Sequence, residues 1–111
     1  MQALSSARCE ACDAHAKPAT AQEVNHYMPQ LPGWQVIRHD GIDKLSQTFK
    51  TQGYTRSMSF TNAVAKLAES SDHHPQMIVD YGAVTVIWWS HKIAGLHKND
   101  FIMAAKTSEV F

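Results

Sequence analysis

Five apolar side chains, Phe60, Ala63, Val64, Leu67 and Ala68, recur at i, i+3, i+4, i+7 and i+8. That spacing winds them onto one stripe of an α-helix. It is the clearest periodic segment in the chain, and it restricts the fold, because an apolar stripe has to be buried against an opposing layer. Thr55 is the expected cap of this helix. Its expected end is near Ser71, ahead of His74-Pro75, because a residue preceding proline is pushed out of the helical region.

The opposing layer has to come from short strands. Gly33-Trp34 opens an extended stretch from Trp34 to His39, and Asp40-Gly41 is a tight hairpin signal, since both residues tolerate positive φ. Leu45 to Phe49 returns as a second strand, with Leu45 and Phe49 on one face. Met77 to Tyr81 reads as a third strand and Tyr81-Gly82 as a turn. Ala83 to His91, rich in β-branched and aromatic residues, reads as a fourth and central strand. Trp88 and Trp89 then point to opposite faces, so one of them belongs to the core.

Two further helices flank these strands. Thr20-Ala-Gln-Glu23 matches a capping box and predicts a short helix ending before Pro29 and Pro32. Gly95 breaks the chain, and His97 or Asn99 begins a last helix whose apolar side carries Phe101, Ile102, Ala104 and Ala105. Asp100 falls in its first turn, where the helix dipole favours a negative charge. Helix, strand, strand, helix, strand, strand, helix is the order of an α+β sandwich. Residues 1–18 show no sustained periodicity and are read as a flexible N-terminal arm or a loosely docked segment, leaving 19–111 as a single domain.

A chain of 111 residues suits one domain, and a domain this small buries only part of its surface, so oligomerisation is expected. Ten basic residues balance ten acidic ones, which supplies no footprint for a nucleic-acid backbone or an anionic membrane. The only cysteines, Cys9 and Cys12, cannot make a disulfide framework. The N-terminus lacks a signal core, and no apolar run could span a bilayer. A cytoplasmic protein is the expectation.

The seven histidines make a high count for this length, and imidazole is the side chain best suited to moving protons near neutral pH. The informative stretch is Glu69-Ser-Ser-Asp72-His73-His74-Pro75, then Tyr81, then Trp88-Trp89-Ser90-His91, then Asp100. His73 and His74 fall in a loop and His91 at a strand end, positions from which a rigid scaffold presents reactive groups. Singly, each has an ordinary explanation: a solvated loop histidine, a helix-end glutamate, a helix-start aspartate. A metal site is one competing reading, built from His73, His74, His91, Glu69 and Asp100, or begun by Cys9, Cys12 and His15. Adjacent histidines chelate poorly from one element, and a lone cysteine pair is half a tetrahedral site, so no metal is expected.

Taken together, these spacings resemble the pterin-4a-carbinolamine dehydratases, also called dimerisation cofactors. Their pattern is Glu, three residues, His, His or Asn, Pro, a short gap, an aromatic, nine residues, His or Trp, and later Asp. Glu69, His73, His74, Pro75, Tyr81, His91 and Asp100 meet it, and Gly33-Trp34 and Gly95-Leu96 also match. The resemblance spans about residues 20–110. The Cys9 to Cys12 segment and Trp88-Trp89-Ser90-His91 look like the bacterial branch.

The resemblance implies a four-stranded antiparallel sheet with three helices packed on one face, assembled as a homodimer or homotetramer. It implies dehydration of 4a-hydroxytetrahydrobiopterin to quinonoid dihydropterin, with no cofactor and with phenylalanine hydroxylase as a possible partner. By the same resemblance His73, His74 and His91 are the catalytic residues. His73 and His91 are acids on the two faces of the pterin, and His74 binds substrate and assists as base. Asp72, Trp89, Ser90, Glu69 and Asp100 line the pterin site or orient its histidines. The alternative is a non-catalytic scaffold or regulatory partner of a hydroxylase or a transcription factor.

Overall fold

The computed structural model describes residues 3–7 and 17–111. Helix α1 (Ala21–Tyr27) is followed by strands β1 (Gln35–His39) and β2 (Ile42–Lys50), helix α2 (Tyr54–Ser71), strands β3 (Gln76–Asp80) and β4 (Ala83–Trp88), and helix α3 (Lys98–Glu109). The strands form one antiparallel sheet in the order β1-β2-β4-β3. This is the expected α+β architecture, with β4 central.

Local chemistry accounts for most of the boundaries. The β1–β2 turn has both Asp40 and Gly41 at positive φ, 53° and 75°, which the right-handed twist of a hairpin favours. Thr20 and Glu23 close the capping box at α1 from both sides: Glu23 N–H donates to Thr20 Oγ1, and Thr20 N–H donates to Glu23 Oε1. α2 is capped differently from the sequence expectation. Its N-cap is Gly53, at φ 139°, and Thr55 lies inside the first turn. Glycine wins there because the chain enters the helix through a conformation closed to residues with a Cβ.

The alternation along β2 and β4 sets the two layers. Leu45 lies opposite Trp88 and Phe49 opposite Val84, and all four are buried beneath the helices. Phe60, Val64 and Ala68 of α2 and Phe101, Ile102 and Ala105 of α3 complete this core. Truncating such a side chain, as in Phe60→Ala, costs about 3–5 kcal/mol through lost burial and an unfilled cavity. Trp88 is therefore the core tryptophan, and Trp89 belongs to the opposite face with Lys44 and Ile87.

One further sequence expectation is corrected. β4 stops at Trp88, and His91 opens a short 3₁₀ turn, His91–Ile93, instead of ending a strand. Ser90 is still bridged, but to Gly95, so the chain folds back on itself before it can continue along β2. At the N-terminus, Leu4–Ser6 forms a 3₁₀ turn, and Leu4 and Ala7 are buried in the core. Residues 3–7 are thus docked against the core. Cys9, Cys12 and His15 lie outside the described residues. No helix among the described residues is long and apolar enough to cross a membrane.

Candidate active site

The end of α2 divides the two adjacent histidines. Asp72 adopts the left-handed conformation, φ 49°, and its N–H returns to the carbonyl of Glu69. His73 N–H then returns to Ala68 O at 3.2 Å. Such a turn satisfies helix-end carbonyls and reverses the chain sharply. As a result His73 goes inward and His74 outward. The His73 side chain is 11% exposed, whereas that of His74 is 53% exposed.

His73 is held on two sides. Its Nε2 lies 2.7 Å from Asp100 Oδ1, and its ring stacks on Trp88 at a centroid distance of 5.5 Å and an interplanar angle of 11°. Trp88 is fixed in turn, because its indole N–H donates to Thr107 Oγ1 at 3.0 Å.

Asp100, fully buried at the start of α3, is the hub. Its Oδ2 accepts from the Ser90 hydroxyl at 2.8 Å and from His97 N–H at 2.9 Å. With the His73 bond, three hydrogen bonds converge on two oxygens, all of a kind that a carboxylate accepts. This arrangement places a proton on His73 Nε2, so Nδ1, which has no hydrogen-bond partner among the described residues, is the nitrogen available to gain or give a proton. α3 begins at the right place because His97 caps it: Asn99 N–H donates to His97 Nδ1 at 3.1 Å. Asp100 thus does more than balance a helix dipole, and His97, one of the two expected helix starts, supports the site in a way the sequence reading did not assign. A histidine in the N-cap position, where Ser, Thr, Asp or Asn is usual, was the available signal.

His74 and Glu69 form a separate pair, with Nε2 and Oε1 2.5 Å apart at the exposed end of α2. His91 stands apart again. Its ring packs against Trp89 at 4.4 Å and 38°, and Lys44 Nζ lies 4.0 Å from the Trp89 ring centroid. Among the described residues no hydrogen bond joins His91 to either of the other histidines. The connection runs through the chain: Ser90 bonds Asp100, and the next residue is His91. Asp72 provides a backbone turn, and its side chain makes no hydrogen bond or ion pair with the histidines among the described residues. No group of three His, Cys, Asp or Glu side chains among the described residues is arranged to hold a metal ion.

A family model described as pterin 4 alpha carbinolamine dehydratase matches residues 17–110. The chain belongs to the pterin-4a-carbinolamine dehydratase family. A protein of Nitrosococcus oceani, provisionally named a pterin-4-alpha-carbinolamine dehydratase, is 46% identical over 110 residues, covering 99% of this chain and 97% of the relative. A Syntrophotalea carbinolica protein with the same provisional name is 47% identical over 107 residues, covering 96% of each. Among solved structures, a Brucella melitensis protein described as a transcriptional coactivator/pterin dehydratase superposes with a TM-score of 0.76 at 30% identity. That match covers 85% of this chain and 98% of the Brucella chain. The four-stranded sheet with three helices is therefore the fold of this dehydratase family, and the His73, His74 and His91 constellation sits within the matched region.

Proposed function

We propose that this chain dehydrates 4a-hydroxytetrahydrobiopterin to quinonoid dihydropterin and water, by histidine general acid–base catalysis without a metal. The observation that carries this reading is the buried Asp100 carboxylate holding His73 at 2.7 Å, beside an exposed His91 and an exposed His74–Glu69 pair. In a carbinolamine the hydroxyl leaves a carbon already bonded to nitrogen. An acid protonates the departing oxygen, the C4a–O bond breaks, and the N5 lone pair forms the C4a=N5 double bond. The N5 proton passes to a base, so one proton is delivered and one removed with no net redox change. Imidazoles suit both tasks, each worth roughly 10²–10⁴-fold.

In this reading His73, oriented by Asp100, and His91, on its 3₁₀ turn, act as acids toward opposite faces of the pterin. His74, oriented by Glu69, binds substrate and takes the proton. Trp89 offers a flat surface to the ring, Asp72 contributes its backbone turn, and Ser90 supports Asp100 through its hydroxyl. The reaction recycles the pterin cofactor of aromatic amino-acid hydroxylation in the cytoplasm, with phenylalanine hydroxylase as the enzyme served. We also propose a homodimer or homotetramer, since the sheet face opposite the helices carries Ile87 and the exposed Ile78.

A scaffold role is the second reading, favoured by the coactivator description of the Brucella protein. A complete three-histidine set favours catalysis, because a scaffold has no use for it. A steady-state dehydratase assay on chelator-treated protein tests both. Acceleration that survives the chelator is expected. No acceleration would overturn the catalytic reading, and loss restored by zinc would overturn the metal-free mechanism.

A further inference from the structure

We propose that Lys44 is a positioning residue of this site, acting on His91 through the indole of Trp89. Lys44 lies on β2 and is only 7% exposed, a burial that lysine seldom accepts without a partner. Among the described residues it has no carboxylate within ion-pairing distance. Its ammonium sits instead 4.0 Å from the centroid of the Trp89 ring. A cation over an indole face is attracted by the ring quadrupole, more strongly where water is partly excluded.

The next link follows from what else holds these residues. Trp89 lies one position beyond the last residue of β4, where the strand ladder no longer fixes it. His91 is exposed, and no hydrogen bond holds its ring among the described residues. Its packing partner is Trp89, at 4.4 Å and 38°. Lys44 clamps the indole, and the indole sets the direction in which the imidazole points. His73 has a carboxylate for this purpose, and His91 has a cation–aromatic stack. Leu45 faces the helices opposite Trp88, so the strand alternation places its neighbour Lys44 on the same side as Trp89.

The structural half of this inference is independent of the reaction; only its kinetic half rests on the dehydratase reading. The test uses Lys44→Met, which keeps the apolar stem and removes the charge, and Lys44→Arg, which keeps the charge. Proton NMR of the His91 ring reads the shift imposed by the neighbouring indole. In Lys44→Met the His91 ring signals should move toward unstacked values, and in Lys44→Arg they should stay near wild type. Kinetically, Lys44→Met should lower turnover of the 4a epimer that depends on His91 by roughly tenfold, the scale of a loosened catalytic group. It should add nothing in a His91→Ala background, and Lys44→Arg should restore the rate. Unmoved His91 signals in folded Lys44→Met, or an equal rate loss with and without His91, would overturn the inference. Shifted signals in a protein with no dehydratase activity would uphold the positioning role and reject the reaction.

Discussion

Asp100 and His73 stand 27 positions apart in the chain, yet their side chains meet at 2.7 Å in a part-buried contact. The carboxylate belongs to the first turn of α3 and the imidazole to the turn that ends α2. The contact therefore locks two helices together as well as aiming a ring. Asp100→Asn keeps the shape but turns one oxygen into an N–H donor facing donors. The expected cost is about 1–3 kcal/mol of stability, from a buried hydrogen-bonding group left unmatched. Dehydration should fall by roughly 10–100-fold, as for other residues that orient a reacting group. Denaturant melts and steady-state rates check both; a stable variant with full activity would remove Asp100 from the account.

The three histidines should fail in different ways. His73→Ala is expected to impair mainly one 4a epimer and His91→Ala mainly the other, because one ring is buried and wired and the other lies on an exposed turn. The double variant should be far slower than either single variant on mixed substrate. His74→Ala should raise KM more than it lowers kcat. Stopped-flow rates on resolved epimers measure the split, and equal losses for both epimers would indicate a single relay.

His97 invites a stability measurement. Its Nδ1 accepts the Asn99 N–H at 3.1 Å, a bond that alanine cannot replace. His97→Ala should cost about 1 kcal/mol, typical of a lost N-cap. For a domain of this size that corresponds to roughly 4–8 °C in Tm. His97→Ser should stay near wild type, since a hydroxyl caps equally well. Thermal melts of the two variants decide it.

Glu23 makes the start of α1 sensitive to pH. The Thr20 backbone N–H, and next the Thr20 hydroxyl, hold its carboxyl below the usual glutamate range. A carboxyl depressed in the folded state contributes stability above its unfolded pKa and loses it as pH falls through the lowered folded value. Amide protection at the start of α1, taken relative to the intrinsic base-catalysed exchange rate at each pH, should accordingly be greatest above the ordinary glutamate range and fall on acidification below it. Glu23→Gln should flatten that response. A Glu23→Gln profile that still tracks pH would assign the effect to another group.

Self-association should be visible in solution. Light scattering at micromolar concentration is expected to give a mass above one chain. Ile78→Lys, on the exposed edge strand β3, should lower that mass if the sheet takes part. A monomer at these concentrations would count against assembly.

Much of the architecture was legible because it rests on local rules. Asp40-Gly41, the Thr20 to Glu23 box and the stripe from Phe60 to Ala68 each act over a few residues, and each stands where periodicity or turn chemistry puts it. The matched histidines could be picked out from spacing, but their partners could not. That His73 stacks on Trp88, or that Lys44 lies over Trp89, depends on register across β2 and β4, which no short window of sequence contains. Thr55 and Gly53 show the same limit at small scale. Both suit a helix start, and only the path of the incoming chain selects the glycine. Leu4 and Ala7 looked unstructured because a single docked turn is too short to show a period.

The bridge between Ser90 and Gly95 closes a small loop with His91 inside it. The direct partners of His73, Asp100 and Trp88, lie outside that loop, in α3 and β4. The two histidines proposed as proton donors can therefore vary independently through mutation. A change at the loop tip could retune or remove one of them while the buried pair stays intact, giving a lineage a low-risk route to a new preference of substrate face.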